Sequence, residues 1–247
     1  MRSKKILVVL TSTQKLGDSG HLTGAYLSEI THPYEEFSRA GYEVDMISPL
    51  GGKVPLDGVM MDDPINATWM NDEEFLSKIE NTLRPWQVNG RDYSAIYFAG
   101  GHGAMFDFPD NINLQKLASD IFENNGVVGA VCHGSAGLVN VRLSDGSYLV
   151  RDHEVSCFTN DEERSVGLES VVPFLLQSRL QERGAQVTTA PNFAGHVIKS
   201  GRLVTGQNPA SAAGVGQGIV EVLDFINIGK NIPEQNWCEW HQPSTQV

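Results

Sequence analysis

Apolar positions fall along this chain in short unbroken runs, and between the runs they recur every three or four residues. Unbroken runs of this length read as strands covered on both faces, and the longer spacing reads as helices packed on them. Lys5–Leu10 is the first such strand, and Leu22–Ala40 is the next long segment, a helix ending at Gly41. Pro33 inside it predicts a break or a fresh helix start near Thr31-His32-Pro33, with Glu29 just before the break. Glu43–Ser48 follows as a second strand, so the opening of the chain is a right-handed βαβ unit.

Residues 49–92 carry Pro49, Gly51-Gly52, Pro55, Gly58, Pro64, Pro85 and Gly90, and read as an excursion from the sheet with one amphipathic piece, Asp72–Leu83. Tyr93–Ala99 resumes as a third strand and runs into Gly100-Gly101-His102-Gly103. Leu114–Asn124 is then a helix with Leu114, Leu117 and Ile121 on one face. The next strand, Val127–Val131, stops at Cys132. Tyr148–Val150, Val155–Phe158, Gln186–Thr189 and Arg202–Thr205 read as short strands, Val171–Arg183 as a helix ending at Gly184, and a last helix runs from Asn208-Pro209 to about Asn227. Residues 229–247, with Trp237–Trp240, form a C-terminal extension suited to surface packing or a dimer contact. The expectation is a single α/β domain over residues 1–247 with a mostly parallel central sheet, its ligands gathering at the carboxyl ends of the strands.

Charge narrows the partners. The 30 acidic against 18 basic residues leave a formal net charge of −12, which repels phosphate backbones and anionic lipid surfaces, so neither nucleic acid nor membrane is expected as a partner. Met1-Arg-Ser-Lys-Lys5 before Ile6–Leu10 has the flanks of a signal peptide but too short an apolar core, and the three cysteines are too few and too widely spaced for a disulfide framework. A cytoplasmic location with reduced thiols follows as an expectation.

The chemistry concentrates at Gly129-Ala-Val-Cys132-His133-Gly134-Ser-Ala-Gly137. An apolar run that ends at a cysteine and passes at once into small residues reads as a nucleophile elbow, a sharp strand-to-helix turn presenting a thiol. A cysteine at a helix N-terminus is expected to have a lowered pKa. His133 can hold a proton beside it, and a carboxylate from Asp161, Glu162 or Glu163 can orient the ring, although spacing does not choose among the three. Gly100-Gly101-His102-Gly103 can offer backbone N–H groups to an oxyanion, and a desolvated Glu29 could donate a hydrogen bond to the thiolate. Cys157 reads as an inert core thiol. The remaining histidines lack ligand spacing, so no metal is expected, and Gly214-Val-Gly216-Gln-Gly218 lies inside the last helix rather than in a dinucleotide loop.

Taken together, Ser28-Glu29-Ile-Thr-His-Pro-Tyr34, Phe98-Ala-Gly-Gly-His-Gly103, Ala130-Val-Cys-His-Gly134, Phe158-Thr-Asn160 with its acids, and Gly201-Arg-Leu-Val-Thr-Gly-Gln-Asn-Pro-Ala-Ser211 resemble the ThiJ/PfpI superfamily, and within it the heat-shock-protein-31-like branch of glutathione-independent glyoxalases. The resemblance implies a flavodoxin-like three-layer sandwich of the class I glutamine amidotransferase type. It implies Cys132 as nucleophile, His133 as its partner, Glu163 as third member with Glu162 as the near alternative, and Glu29 beside the thiol. Gly100, Gly101 and His102 would belong to the oxyanion and substrate site. It further implies a homodimer, no cofactor, and conversion of methylglyoxal, a small aldehyde, to lactate. A holdase acting on unfolded clients, a protein deglycase, a glutamine amidotransferase and a cysteine peptidase are the competing functions on this fold.

Overall fold

The computed structural model describes residues 3–229; the C-terminal extension with Trp237–Trp240 and Cys238 lies outside the described residues. In chain order the elements are β1 (Lys5–Val9), β2 (Ala25–Tyr26), α1 (Leu27–Arg39), β3 (Glu43–Ile47), β4 (Leu56–Asp57), α2 (Pro64–Trp69), α3 (Glu73–Glu80) and β5 (Ala95–Phe98). There follow α4 (Ala104–Asp107), α5 (Ile112–Glu123), β6 (Val127–Val131), β7 (Glu154–Val155), α6 (Asn160–Ser165), α7 (Leu176–Glu182), β8 (Gln186–Val187), β9 (Val197–Ser200), β10 (Leu203–Gly206) and α8 (Ala212–Asn227).

Six strands form the central sheet in the order β3-β1-β5-β6-β10-β9, parallel except for β9, which pairs antiparallel with β10 at the edge. Each apolar run feeds both layers, because alternate residues of a strand point to opposite faces. Ile6, Val8, Tyr97 and Val131 pack with Ile30, Phe37, Ile219 and Val222 of α1 and α8. Leu7, Val9, Ile96, Phe98 and Val128 pack with Phe108, Leu117 and Ile121 on the other face. This is the three-layer, mostly parallel α/β architecture of the flavodoxin-like type.

Several boundaries depart from the pattern. The first helix starts at Leu27 rather than Leu22, because residues 22–26 lead into β2, which pairs in parallel with β4 of the excursion. Pro33 does not break it. Proline removes the N–H that would donate to the carbonyl four residues back, that of Glu29, and the Tyr97 hydroxyl from β5 donates to that carbonyl at 2.7 Å instead. Gly216 of α8 packs directly on the proline, where an added Cβ would lie 2.7 Å from Pro33 Cα. The glycine-rich stretch is thus a helix-packing face, as its place in the last helix suggested.

Residues 49–92 contribute no strand to the six-stranded sheet and touch its β3 edge through an isolated bridge from Leu83 to Ile47. Asp63 and Asp72 cap α2 and α3, and Tyr34, Trp69 and Phe75 form an edge-on aromatic cluster that ties the excursion to α1. The expected strand at Tyr148–Val150 is a turn, with only an isolated bridge from Tyr148 to Arg142, and strand structure near Val155–Phe158 is confined to β7. The helix expected over Val171–Arg183 shortens to α7, Pro173 disfavouring helical backbone at the preceding Val172. β9 went unpredicted. Ser200-Gly201 turns it into β10 with Gly201 at φ 60°, and its alternating half-buried edge pattern is short and weakly apolar.

Candidate active site

The elbow forms where β6 ends. Cys132 takes φ 55°, a left-handed conformation that non-glycine residues hold only at a cost of roughly 1–3 kcal/mol, and the chain continues as a 3₁₀ turn over Cys132–Leu138. Glycine makes the turn possible by close approach. A Cβ on Gly134 would lie 2.2 Å from the Phe98 carbonyl oxygen, and one on Gly137 would enter the Phe98 ring at 2.5 Å. The elbow is therefore pressed onto β5, whose own glycine turn stands opposite the thiol.

Gly100 is where the two turns and α1 meet. An added Cβ there would lie 2.3 Å from Glu29 Oε2 and 3.0 Å from Cys132 Cβ. The Gly100 N–H faces the Glu29 carboxyl, whereas the Gly101 and His133 N–H groups face the sulfur. Of the glycine N–H groups expected around an oxyanion, Gly101 stands at the thiol, together with the His133 N–H, and Gly100 serves the glutamate.

Glu29, Cys132, His133 and Glu163 are all buried. Cys132 Sγ lies 3.4 Å from His133 Nδ1, His133 Nε2 lies 2.7 Å from Glu163 Oε2, and His102 Nε2 lies 2.8 Å from Glu163 Oε1. His133 meets both the His102 ring, at 3.9 Å between centroids, and the Phe158 ring, at 4.3 Å. Although neighbours on an elbow tend to diverge, the left-handed turn at Cys132 brings thiol and imidazole together.

The adjacent glutamates divide their work. Glu162 closes a capping box with Thr159 at the start of α6, and its other oxygen accepts from the Phe193 N–H, Gln207 Nε2 and Asn208 Nδ2. With five donors on one carboxylate it anchors α6, and the next residue, Glu163, faces the histidines. The Thr159-x-x-Glu162 box was a sequence signal that marks Glu162 as the cap and leaves its neighbour free.

Electrostatics follow from partners. Burial pushes Glu163 up, but the hydrogen bonds from His102 and His133 outweigh it and bring the carboxyl down to about 2. Burial and the neighbouring His102 lower His133 to about 4, against the pull of Glu163. Glu29 is raised to about 8 by burial: the thiol and the Gly100 N–H face it, yet neither carboxyl oxygen closes an aligned hydrogen bond. Burial, reinforced by Glu29, also raises the Cys132 thiol, while the His133 and Gly101 N–H groups pull the other way. The lowered thiol expected from a helix N-terminus is thus replaced by a raised one, because burial and the neighbouring Glu29 outweigh the backbone N–H groups.

His102, His133 and Glu163 also bring nitrogen and oxygen atoms of metal-ligand type within 4.8 Å of one another, a grouping that sequence spacing did not reveal because it joins three elements. The 2.7 and 2.8 Å N–H···O contacts account for its compactness. His32, His153 and His196 are tied elsewhere, to Asp63, Ser200 and Thr188. Cys157 is fully buried in the core, its thiol pushed up by burial. No helix among the described residues is long and apolar enough to cross a membrane.

The sequence matches the DJ-1/PfpI family over residues 22–152, a span that includes Glu29, the glycine turn and the elbow. The chain belongs to the DJ-1/PfpI family. Within this family it is 34% identical to the glutathione-independent glyoxalase HSP31 of Saccharomyces cerevisiae, over 86% of this chain and 94% of the relative. It is likewise 34% identical to the probable glutathione-independent glyoxalase hsp3103 of Schizosaccharomyces pombe, over 83% of this chain and 92% of that protein. Among solved structures, the Rapid Encystment Protein 24 KDa of Francisella tularensis superposes with a TM-score of 0.86 at 40% identity, covering 90% of this chain and 99% of the other. Glyoxalase III of Candida albicans superposes with a TM-score of 0.82 at 28% identity, covering 88% and 96%. The family match stops before Glu163, so that carboxylate comes from a segment beyond it.

Proposed function

We propose that this DJ-1/PfpI protein is a glutathione-independent glyoxalase that converts methylglyoxal to lactate through a covalent adduct on Cys132. The observation that carries the reading is the buried chain from thiol to imidazole to carboxylate, with Sγ 3.4 Å from Nδ1 and Nε2 2.7 Å from Glu163. Its similarity to named glyoxalases over most of its length supports the same reading.

An ionised carboxylate only accepts hydrogen bonds, so Glu163 holds the proton of His133 on Nε2 and turns the Nδ1 lone pair to the sulfur. His133 takes the thiol proton as Sγ adds to the aldehyde carbon, and the Gly101 and His133 N–H groups receive the developing alkoxide. Proton return gives a hemithioacetal. His133 then removes the hydrogen from that carbon, Glu29 delivers a proton to the adjacent carbon through its protonated carboxyl, and the enediol becomes a lactate thioester, after which the proton on His133 passes to Glu29 and restores both groups. Water cleaves the thioester, releases lactate and a proton, and restores the thiol. No external redox partner is needed, because one carbon is oxidised as its neighbour is reduced.

The test is lactate formation from methylglyoxal without glutathione, run beside glutamine and a glycated amino acid. The parent is expected to form lactate and Cys132→Ser to lose at least about a thousandfold in kcat. A serine variant that consumes methylglyoxal at the parent rate would rule out the covalent route. Faster turnover of the glycated amino acid would transfer the site to deglycation.

A further inference from the structure

The Glu163 carboxylate serves two imidazoles, and only one of them belongs to the elbow. His102 Nε2 stands 2.8 Å from Oε1 and His133 Nε2 stands 2.7 Å from Oε2. Because an ionised carboxylate cannot donate, both nitrogens carry their protons toward it. Resting on the function proposed above, we infer that His102 is a positioning residue: its N–H pins one oxygen of Glu163, so that the other can only hold His133 with the lone pair of Nδ1 toward Cys132.

The fold delivers His102 for this purpose from outside the elbow. It sits in the turn after β5, where Gly101 has φ 100° and an added Cβ on Gly103 would lie 2.8 Å from Thr11 Cγ2, so the turn is forced by close contact on both sides of the histidine. A carboxylate with one donor can rotate and offer its acceptor elsewhere; with a donor on each oxygen it is fixed, and so is the imidazole that it holds. His102 is also the partly exposed member, with 19% of its side chain accessible against 1% for His133 and 3% for Glu163. The His102 ring, whose centroid lies 3.9 Å from that of His133, disfavours a positive charge on His133. The titratable groups around the pair are Glu162 and Glu163 of α6, Cys132 of the elbow and Glu29 of α1.

Three measurements test the inference. His102→Leu removes the donor and is expected to lower kcat roughly tenfold or more with little change in KM, and to move the acid limb of kcat/KM to higher pH. His102→Gln keeps an amide N–H of similar reach and is expected to recover most of kcat. A leucine variant with parent kcat and an unmoved limb, or a glutamine variant as impaired as leucine, overturns the donor role. Nitrogen-15 spectra of the histidine rings in the parent protein need no variant: at neutral pH both His102 and His133 should carry a proton on Nε2, and His102 protonated on Nδ1 alone refutes the geometry. Alkylation of Cys132 by iodoacetamide, followed against pH by peptide mass spectrometry, reports on the same unit without any substrate. If the parent makes no lactate, the glyoxalase reading fails; if the alkylation profile does not respond to His102→Leu, this inference fails.

Discussion

Glu29 and Glu163 flank one elbow from opposite sides, both buried, and their carboxyl groups are driven in opposite directions. Glu29 stands in the first turn of α1, where the helix dipole favours a carboxylate, yet burial without an aligned partner raises it to about 8. Glu163 is as well hidden, yet two imidazole donors bring it down to about 2. Depth alone does not set ionisation. What decides is how well the fold's donors serve the charged form: on the α6 side two imidazoles bind at 2.7 and 2.8 Å, whereas on the α1 side the Gly100 N–H and the thiol face Glu29 without closing an aligned bond. The result is one carboxylate able to orient a base and one carboxylic acid able to give a proton.

The largest effect should come from making the α6 side less able to accept. Glu163→Gln leaves one acceptor oxygen for two imidazole N–H groups, so one ring must change its tautomer. A loss of about 10² to 10³ in kcat is expected from steady-state lactate assays. A variant within a few-fold of the parent would show that the carboxylate is not what holds His133.

Glu29→Gln tests the other side, with a smaller loss of about ten- to a hundredfold in kcat. Its stability signature has a definite sign. Because the folded-state pKa is raised above the ordinary 4.5, the contribution of Glu29 is present at low pH and is lost as pH rises through about 8. Melting temperatures of the parent should therefore fall more steeply than those of the glutamine variant between about pH 5 and pH 9. Parallel slopes would remove Glu29 from the contrast. Glu163 contributes in the opposite sense, its stabilisation being lost only as pH falls from 4.5 toward about 2.

The smallest effect is expected at Tyr97→Phe, which leaves the Glu29 carbonyl without its donor while filling the same space. A loss of about 1–3 kcal/mol in stability should appear in denaturant unfolding, with a melting point lower by several degrees. Unchanged stability would mean that the carbonyl finds another donor.

Much of this was legible in the chain. Strands covered on both faces leave unbroken apolar runs, so β1, β5 and β6 stand out, and the Cys132-His133 elbow is written in consecutive residues. β9 was not, because its four residues, Val-Ile-Lys-Ser, bury only alternate positions and carry two apolar side chains. The residues themselves left Asp161, Glu162 and Glu163 open, and only the family resemblance favoured the last. The bond between His102 and Glu163 joins residues 61 positions apart, and no local spacing encodes it. The direction of the thiol's shift escaped for a related reason: a helix dipole can be read from sequence, but the burial of a sulfur beside Glu29 belongs to the packed molecule.

Pro33 carries a mechanical consequence. By opening one carbonyl in α1 it gives β5 a handle on the helix, and the handle is the backbone of the same residue whose side chain reaches the thiol at the end of β6. Glu29 is thereby held at its backbone by β5 while its carboxyl stands beside the thiol. Sliding α1 along its axis would break the Tyr97 bond and withdraw the acid from the sulfur in one movement, so the helix defect acts as an index mark that keeps the registration of helix and sheet coupled to the alignment of the reacting groups.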